Sequence, residues 1–110
     1  MAFLKLLDKE FNFPINDEVE KVQDKLDLLI TTMKLMGYKF KSGVFATGNI
    51  YGDLRYGKEV KNIIFKFRFF DNGSLDYFDI WMKEDLINRW YTSQSVDILI
   101  EMLDDVFNKM

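Results

Sequence analysis

The sequence predicts an α+β fold: a three-stranded antiparallel β-meander with a long helix from the N-terminal half and a C-terminal helix packed on one face. Three observations predict it. Residues 61–82, KNIIFKFRFFDNGSLDYFDIWM, hold Asn72-Gly73 between two alternating, aromatic-rich runs, the strongest short-range hairpin signal a sequence carries. Residues 17–36 bear an apolar stripe at helical spacing, and residues 95–110 bear another. The expected order is α-α-β-β-β-short α-α in one domain covering residues 1–110. A chain of 110 residues is long enough for one core and too short for two.

Taken in order, residues 2–11 place Phe3, Leu7 and Phe11 four apart and predict a short helix that must dock to be stable. Phe13-Pro14 ends it, because the residue before proline is driven out of the α region. A long helix then runs from Asp17 to about Met36. Asp17 and Glu20 match a capping box, and Gly37 suits the left-handed position beyond the end. Val19, Val22, Leu26, Leu29, Ile30, Met33 and Met36 form its stripe. Leu28 and Leu35 lie off the stripe, where they receive the N-terminal helix or contact a partner.

From Tyr38 to Val60 the pattern turns extended. Tyr38-Lys39-Phe40-Lys41 alternates briefly, Gly43 and Gly48 punctuate, and residues 50–56 read as a strand in which Gly52 marks a bulge or a close backbone approach. A Gly57-Lys58 turn into the next strand makes paired residue numbers sum to 115, setting Ile50 against Phe65, Tyr51 against Ile64 and Gly52 against Ile63. A two-residue type I′ turn at Asn72-Gly73 makes the next pairs sum to 145. One face then pairs Phe67 with Phe78, Phe65 with Ile80 and Ile63 with Met82. The other pairs Lys66 with Asp79, Arg68 with Tyr77, Ile64 with Trp81 and Phe70 with Leu75. A salt pair and a cation–π pair are both acceptable cross-strand neighbours.

Residues 83–92, KEDLINRWYT, predict a short helix through the four-spaced pairs Leu86/Trp90 and Ile87/Tyr91. A fourth strand turning at Lys83-Glu84 would set Arg89 against Phe78 in the core, and that turn has neither Gly nor Asn. The last helix starts at Ser95, a good N-cap, with Asp97 in its first turn. Its stripe is Val96, Leu99, Ile100, Leu103, Val106, Phe107 and Met110. The helix–strand–strand–strand–helix order is similar to that of double-stranded RNA-binding domains. However, Ser95-Val96-Asp97 opens the final helix with the wrong sign for that family's basic helix start.

Composition narrows the chemistry. There is no histidine and no cysteine, hence no Ser-His-Asp triad, thiolate zinc site, cysteine nucleophile or disulfide framework. Neither a Walker loop nor a GxGxxG run occurs, so no enzyme activity and no cofactor are expected. Asp97, Glu101, Asp104 and Asp105 share a helix and Asp17, Glu18 and Glu20 cluster at a helix start, but no DxDxDG loop gathers oxygens for calcium. These acids read as solvated surface. The apolar run in MAFLKLLDKEF is too short for a signal peptide or membrane span, and a cysteine-free chain fits a reducing cytosol, so a cytoplasmic location is expected.

Net charge is −3, unevenly spread: residues 38–70 carry a balance of +5 and the remainder −8. The predicted outer sheet face gathers Tyr51, Ile64, Lys66, Arg68, Tyr77 and Trp81, aromatic platforms among cations. Residues 83–92 or the chain terminus would cover that face in a purely structural role. Left open, it suits a protein partner, as for an inhibitor, an immunity-type antagonist or an adaptor. The alternative is single-stranded nucleic acid, with bases stacked on rings and phosphates on cations. Asp79 beside Lys66 weakens that alternative. Self-assembly into a homo-oligomer is the third class, and no membrane is implicated.

Overall fold

The computed structural model describes residues 2–7, 9–42, 48–56 and 59–109. The expected α+β class holds. β1 (Ala2–Leu6) and β2 (Lys9–Phe13) form a hairpin, followed by a 3-10 turn (Asn16–Glu18) and α1 (Val19–Met36). Then come β3 (Lys39–Ser42), β4 (Gly48–Tyr56), β5 (Glu59–Phe69), β6 (Leu75–Met82), β7 (Asp85–Tyr91) and α2 (Val96–Lys109). Strands β3 to β7 make one antiparallel meander in sequential order. Its middle three strands are the predicted meander. The observed order has a hairpin where a double-stranded RNA-binding domain starts with a helix.

The β4–β5 register is the predicted one, with Ile50 opposite Phe65, Tyr51 opposite Ile64 and Gly52 opposite Ile63. The expected Gly57-Lys58 turn and Gly43 lie outside the described residues. Gly52 is a close approach and no bulge: a Cβ there would stand 2.6 Å from the Phe40 ring and 2.9 Å from Ile63. The β5–β6 pairs from Arg68–Tyr77 to Ile63–Met82 also match.

The connection between β5 and β6 differs from expectation. Phe70 accepts from the Gly73 N–H at 2.9 Å and donates to the Ser74 carbonyl at 2.8 Å. Asp71, Asn72 and Gly73 therefore form a three-residue loop, with Gly73 alone at positive φ, 85°. That geometry is a type I turn closed by a left-handed glycine. Asn72 instead uses its side-chain oxygen to accept from the Ser74 N–H at 3.0 Å and hydroxyl at 2.6 Å. Leu75 consequently faces Phe69 in the core, and Phe70 is 52% exposed. A bulge at Asp76 absorbs the extra loop residue and restores the predicted pairs. Thr92 holds that bulge, its hydroxyl donating to the Leu75 carbonyl at 3.0 Å and its N–H to the Asp76 carbonyl at 3.1 Å.

Both predicted short helices are strands. At the N-terminus the decisive pattern is alternation: Leu4, Leu6, Phe11 and Phe13 are buried, while Phe3 is 48% exposed. Leu4 pairs with Phe11 and Ala2 with Phe13. The edge of β1 is closed by α1, where Gln23 accepts from the Lys5 N–H at 2.7 Å and donates to the Lys5 carbonyl at 2.8 Å. One amide side chain thus imitates a neighbouring strand at an otherwise unpaired edge.

Within residues 83–92 the strand β7 forms because a bulge at Ile87 removes the objection to a further strand. Near the turn Met82 pairs with Asp85, a register that would set Arg89 against Phe78. Beyond the bulge Asp79 pairs with Arg89 and Phe78 with Trp90, so the cation faces outward and the indole inward. Trp90 is fully buried, stacks on Phe13 at 5.8 Å and donates to the Ser95 carbonyl at 2.9 Å. The turn lacks Gly and Asn, as noted from sequence, and Lys83 takes a φ of 55°. The Asn62 side chain compensates in part by accepting from the Lys83 N–H at 2.7 Å. Lys83→Gly should relieve the left-handed strain, about 1–2 kcal/mol, against a smaller entropic loss in the unfolded chain. A net gain of about 0.5–1 kcal/mol is expected by urea titration; a lowered midpoint would contradict the strained turn.

The helices follow their stripes. Val22, Leu26, Leu29, Ile30 and Met33 of α1 and Val96, Leu99, Leu103 and Val106 of α2 are buried as expected, Met102 joins them, and Val19, Ile100 and Phe107 are half-buried. Met36 is 37% exposed and Met110 lies outside the described residues. Gly37 caps α1 at φ 105°, with its N–H on the Lys34 carbonyl and the Tyr38 N–H on the Met33 carbonyl, both at 3.0 Å. The Asp17–Glu20 capping box does not form: Glu18 is the N-cap and no side chain caps that end. Leu28 and Leu35 are 56% and 85% exposed, because the N-terminal hairpin packs elsewhere. Lys25 meets Asp104 at 2.8 Å and Lys21 meets Asp97 at 3.5 Å, tying the helices at the surface. No described helix is long and apolar enough to cross a membrane.

Candidate interaction surface

Strand alternation sends the core residues to one face of the sheet and a different set to the other. That outer face receives Ile64, Lys66 and Arg68 from β5, Tyr77, Asp79 and Trp81 from β6, and Arg89 and Tyr91 from β7. Register aligns them in rows: Ile64 with Trp81, Lys66 with Asp79 and Arg89, Arg68 with Tyr77 and Tyr91. Tyr51 extends the first row through its backbone pairing with Ile64; its side chain lies outside the described residues. The structure therefore brings the other five predicted residues onto one surface. Segment 83–92 widens this surface as an edge strand and does not cover it, and α2 packs with the core on the opposite side.

At the centre sits Asp79, only 1% exposed. Arg89 grips it with two hydrogen bonds, Nε to Oδ1 at 2.6 Å and Nη2 to Oδ2 at 2.8 Å. Trp81 adds a third from its Nε1 to Oδ2 at 3.1 Å. The bonds to Asp79 hold the Arg89 guanidinium even further above its already high pKa, so it stays charged. The same guanidinium lies 4.1 Å from the Tyr77 ring centroid and 6.0 Å from that of Tyr91, and the two rings meet edge to face at 5.7 Å. Lys66 places its Nζ 4.4 Å from the centre of the Trp81 ring.

Two expected contacts are thus reassigned. The ion pair to Asp79 comes from Arg89 where Lys66 was expected, and the cation over Tyr77 is Arg89 where Arg68 was expected. Lys66 and Arg68 remain cross-strand neighbours of Asp79 and Tyr77. Lys66 turns to the indole, and Arg68 is exposed. Reading residues 83–92 as a helix hid Arg89 and Tyr91. Residues 88–91, Asn-Arg-Trp-Tyr, do not alternate polar with apolar, so no local signal marked this strand.

Asp79, Arg89 and Trp81 are joined by hydrogen bonds, and each described ring has a cation or another ring against it. Tyr77, Trp81, Arg89 and Tyr91 are consequently braced against one another or against Asp79 and Lys66 before any partner arrives. Among the described residues of β5 to β7 the surface offers half-exposed aromatic area, the outward cations Lys66 and Arg68, and no exposed carboxylate at its centre. No protein-family model, curated protein sequence or solved structure matches the chain.

Proposed function

We propose that this chain is a non-enzymatic, cytoplasmic protein-binding module of the inhibitor or adaptor kind, and that its contact surface is the outer face of β5, β6 and β7. The observation that carries this reading is the Asp79–Arg89 pair, its carboxylate buried, set among Trp81, Tyr77 and Tyr91. Tryptophan, tyrosine and arginine dominate binding energy at protein interfaces, and side chains already locked in place lose little entropy on association. Nucleic acid is the weaker reading for a geometric reason. Bases need free ring faces on which to stack, and here Lys66 occupies one face of Trp81 while Arg89 occupies one face of Tyr77. What favours it is that Arg89 neutralises Asp79, leaving Lys66 and Arg68 as outward charge.

The test compares tagged wild-type protein with Trp81→Ala after confirming by circular dichroism that both are folded. A protein partner retained by the wild type after nuclease treatment should bind the variant at least about 30-fold more weakly, the equivalent of losing a 2 kcal/mol anchor. Labelled single strands provide the second arm. Binding there that falls steeply with salt, and whose salt slope flattens in Lys66→Gln and Arg68→Gln, would replace the protein reading with the nucleic-acid one.

A further inference from the structure

A second site lies at the far end of the sheet, where the β6–β7 turn meets the C-terminal ends of both helices. It is an open pocket of about 290 Å³. Its floor is apolar, made by Met36, Tyr38, Leu54, Met82 and Ile87. Among the described residues its rim carries Lys61, Lys83 and Lys109 against the carboxylate of Asp85. Lys61 is informative because it shares the parity of Ile63, Phe65 and Phe67, the side of the sheet that carries the helices. A cation on that side is tolerated only where the core opens to solvent.

The described rim side chains sum to +2. Two helix C-termini end here, at Met36 and Lys109, and each contributes about half a negative charge. The balance is roughly +1, which suits a monoanion and repels a cation. The α1 end is already satisfied by the Gly37 and Tyr38 N–H groups, so its last carbonyls do not need a donor from a ligand. At about 30 Å³ per water-sized unit the volume takes on the order of ten non-hydrogen atoms. Methionines in the floor adapt to apolar shapes without a fixed outline.

We propose that this pocket binds a small amphiphilic monocarboxylate of that size, its hydrocarbon on Leu54, Met82 and Ile87 and its carboxylate among Lys61, Lys83 and Lys109. The site is independent of the outer sheet face, so either proposal can fail without the other.

Octanoate is the probe, titrated into full-length protein carrying isotope-labelled methionine methyls, with octanol and octylammonium as the neutral and cationic counterparts. The expected result is saturable octanoate binding that shifts the Met36 and Met82 methyls and leaves buried Met33 unmoved. Octylammonium and octanol should bind at least about tenfold more weakly, and the Lys61→Glu, Lys109→Glu double variant should lose octanoate by a similar factor. If that variant does not fold, Lys83→Asn removes one charge from a turn position that asparagine accepts, and octanoate affinity should then fall about threefold. Absence of saturable binding, octanol binding as tightly as octanoate, or affinity indifferent to the folded charge variants would overturn the proposal.

Discussion

Replacing Arg89 with methionine should cost about 3 kcal/mol of stability, while the Asp79→Leu, Arg89→Met double substitution should cost far less. The asymmetry follows from burial. Asp79 is 1% exposed, and removing Arg89 leaves its charge with the Trp81 N–H as its one remaining side-chain donor among the described residues. Breaking a buried pair on one side typically costs about 3–5 kcal/mol, because an uncompensated charge stays behind. The lower end applies because the Arg89 side chain is itself 31% exposed and its loss opens a path for water. Removing both charges takes away the attraction and the desolvation penalty together. Urea unfolding of the two single variants and the double gives the coupling energy directly. A coupling below about 1 kcal/mol would mean the pair behaves as a surface ion pair, and the preorganised centre of the interaction surface would be lost with it.

The same cluster shows which parts of this protein are written locally and which are not. The β5–β6 register was readable because alternation, Asn72-Gly73 and the pairs Phe67–Phe78 and Phe65–Ile80 all agreed. It survived a wrong loop length because the bulge at Asp76 cancelled the error. No local pattern announces such a bulge: what stabilises it is Thr92, sixteen residues away. The bulge at Ile87 had the opposite effect. Without it, Arg89 falls in the core, so local sequence disfavours the strand and the four-residue spacing of Leu86/Trp90 fits a helix better.

The N-terminus failed for a related reason. Phe3, Leu7 and Phe11 fit a helix, but Leu4, Leu6, Phe11 and Phe13 fit a hairpin. Only tertiary contacts choose between them, Phe11 against Phe67 and Phe13 against Trp90. The candidate surface inherits this split. Its β5 and β6 residues follow from the hairpin, whereas Arg89 and Tyr91 depend on a strand that local sequence disfavours.

Phe67→Ala should lower stability by about 3–5 kcal/mol, while Phe70→Ala should change it by less than about 1 kcal/mol. The two rings are three residues apart in one aromatic run and are indistinguishable by composition. Phe67 is 1% exposed, stacks on Phe78 with centroids 4.9 Å apart and meets Phe11 at 4.2 Å. Its removal takes away transfer energy and leaves a cavity bounded by strands of two different sheets, which cannot collapse together without moving the β1–β2 hairpin. Phe70 opens the β5–β6 loop and is 52% exposed. A one-residue slip in β5 would interchange the faces and reverse the ranking. Urea titration of both variants measures the difference, and amide exchange at Leu4 and Leu6 reports whether the N-terminal hairpin loosens first in Phe67→Ala. Equal losses for the two variants would contradict the register on which both the core and the outer surface depend.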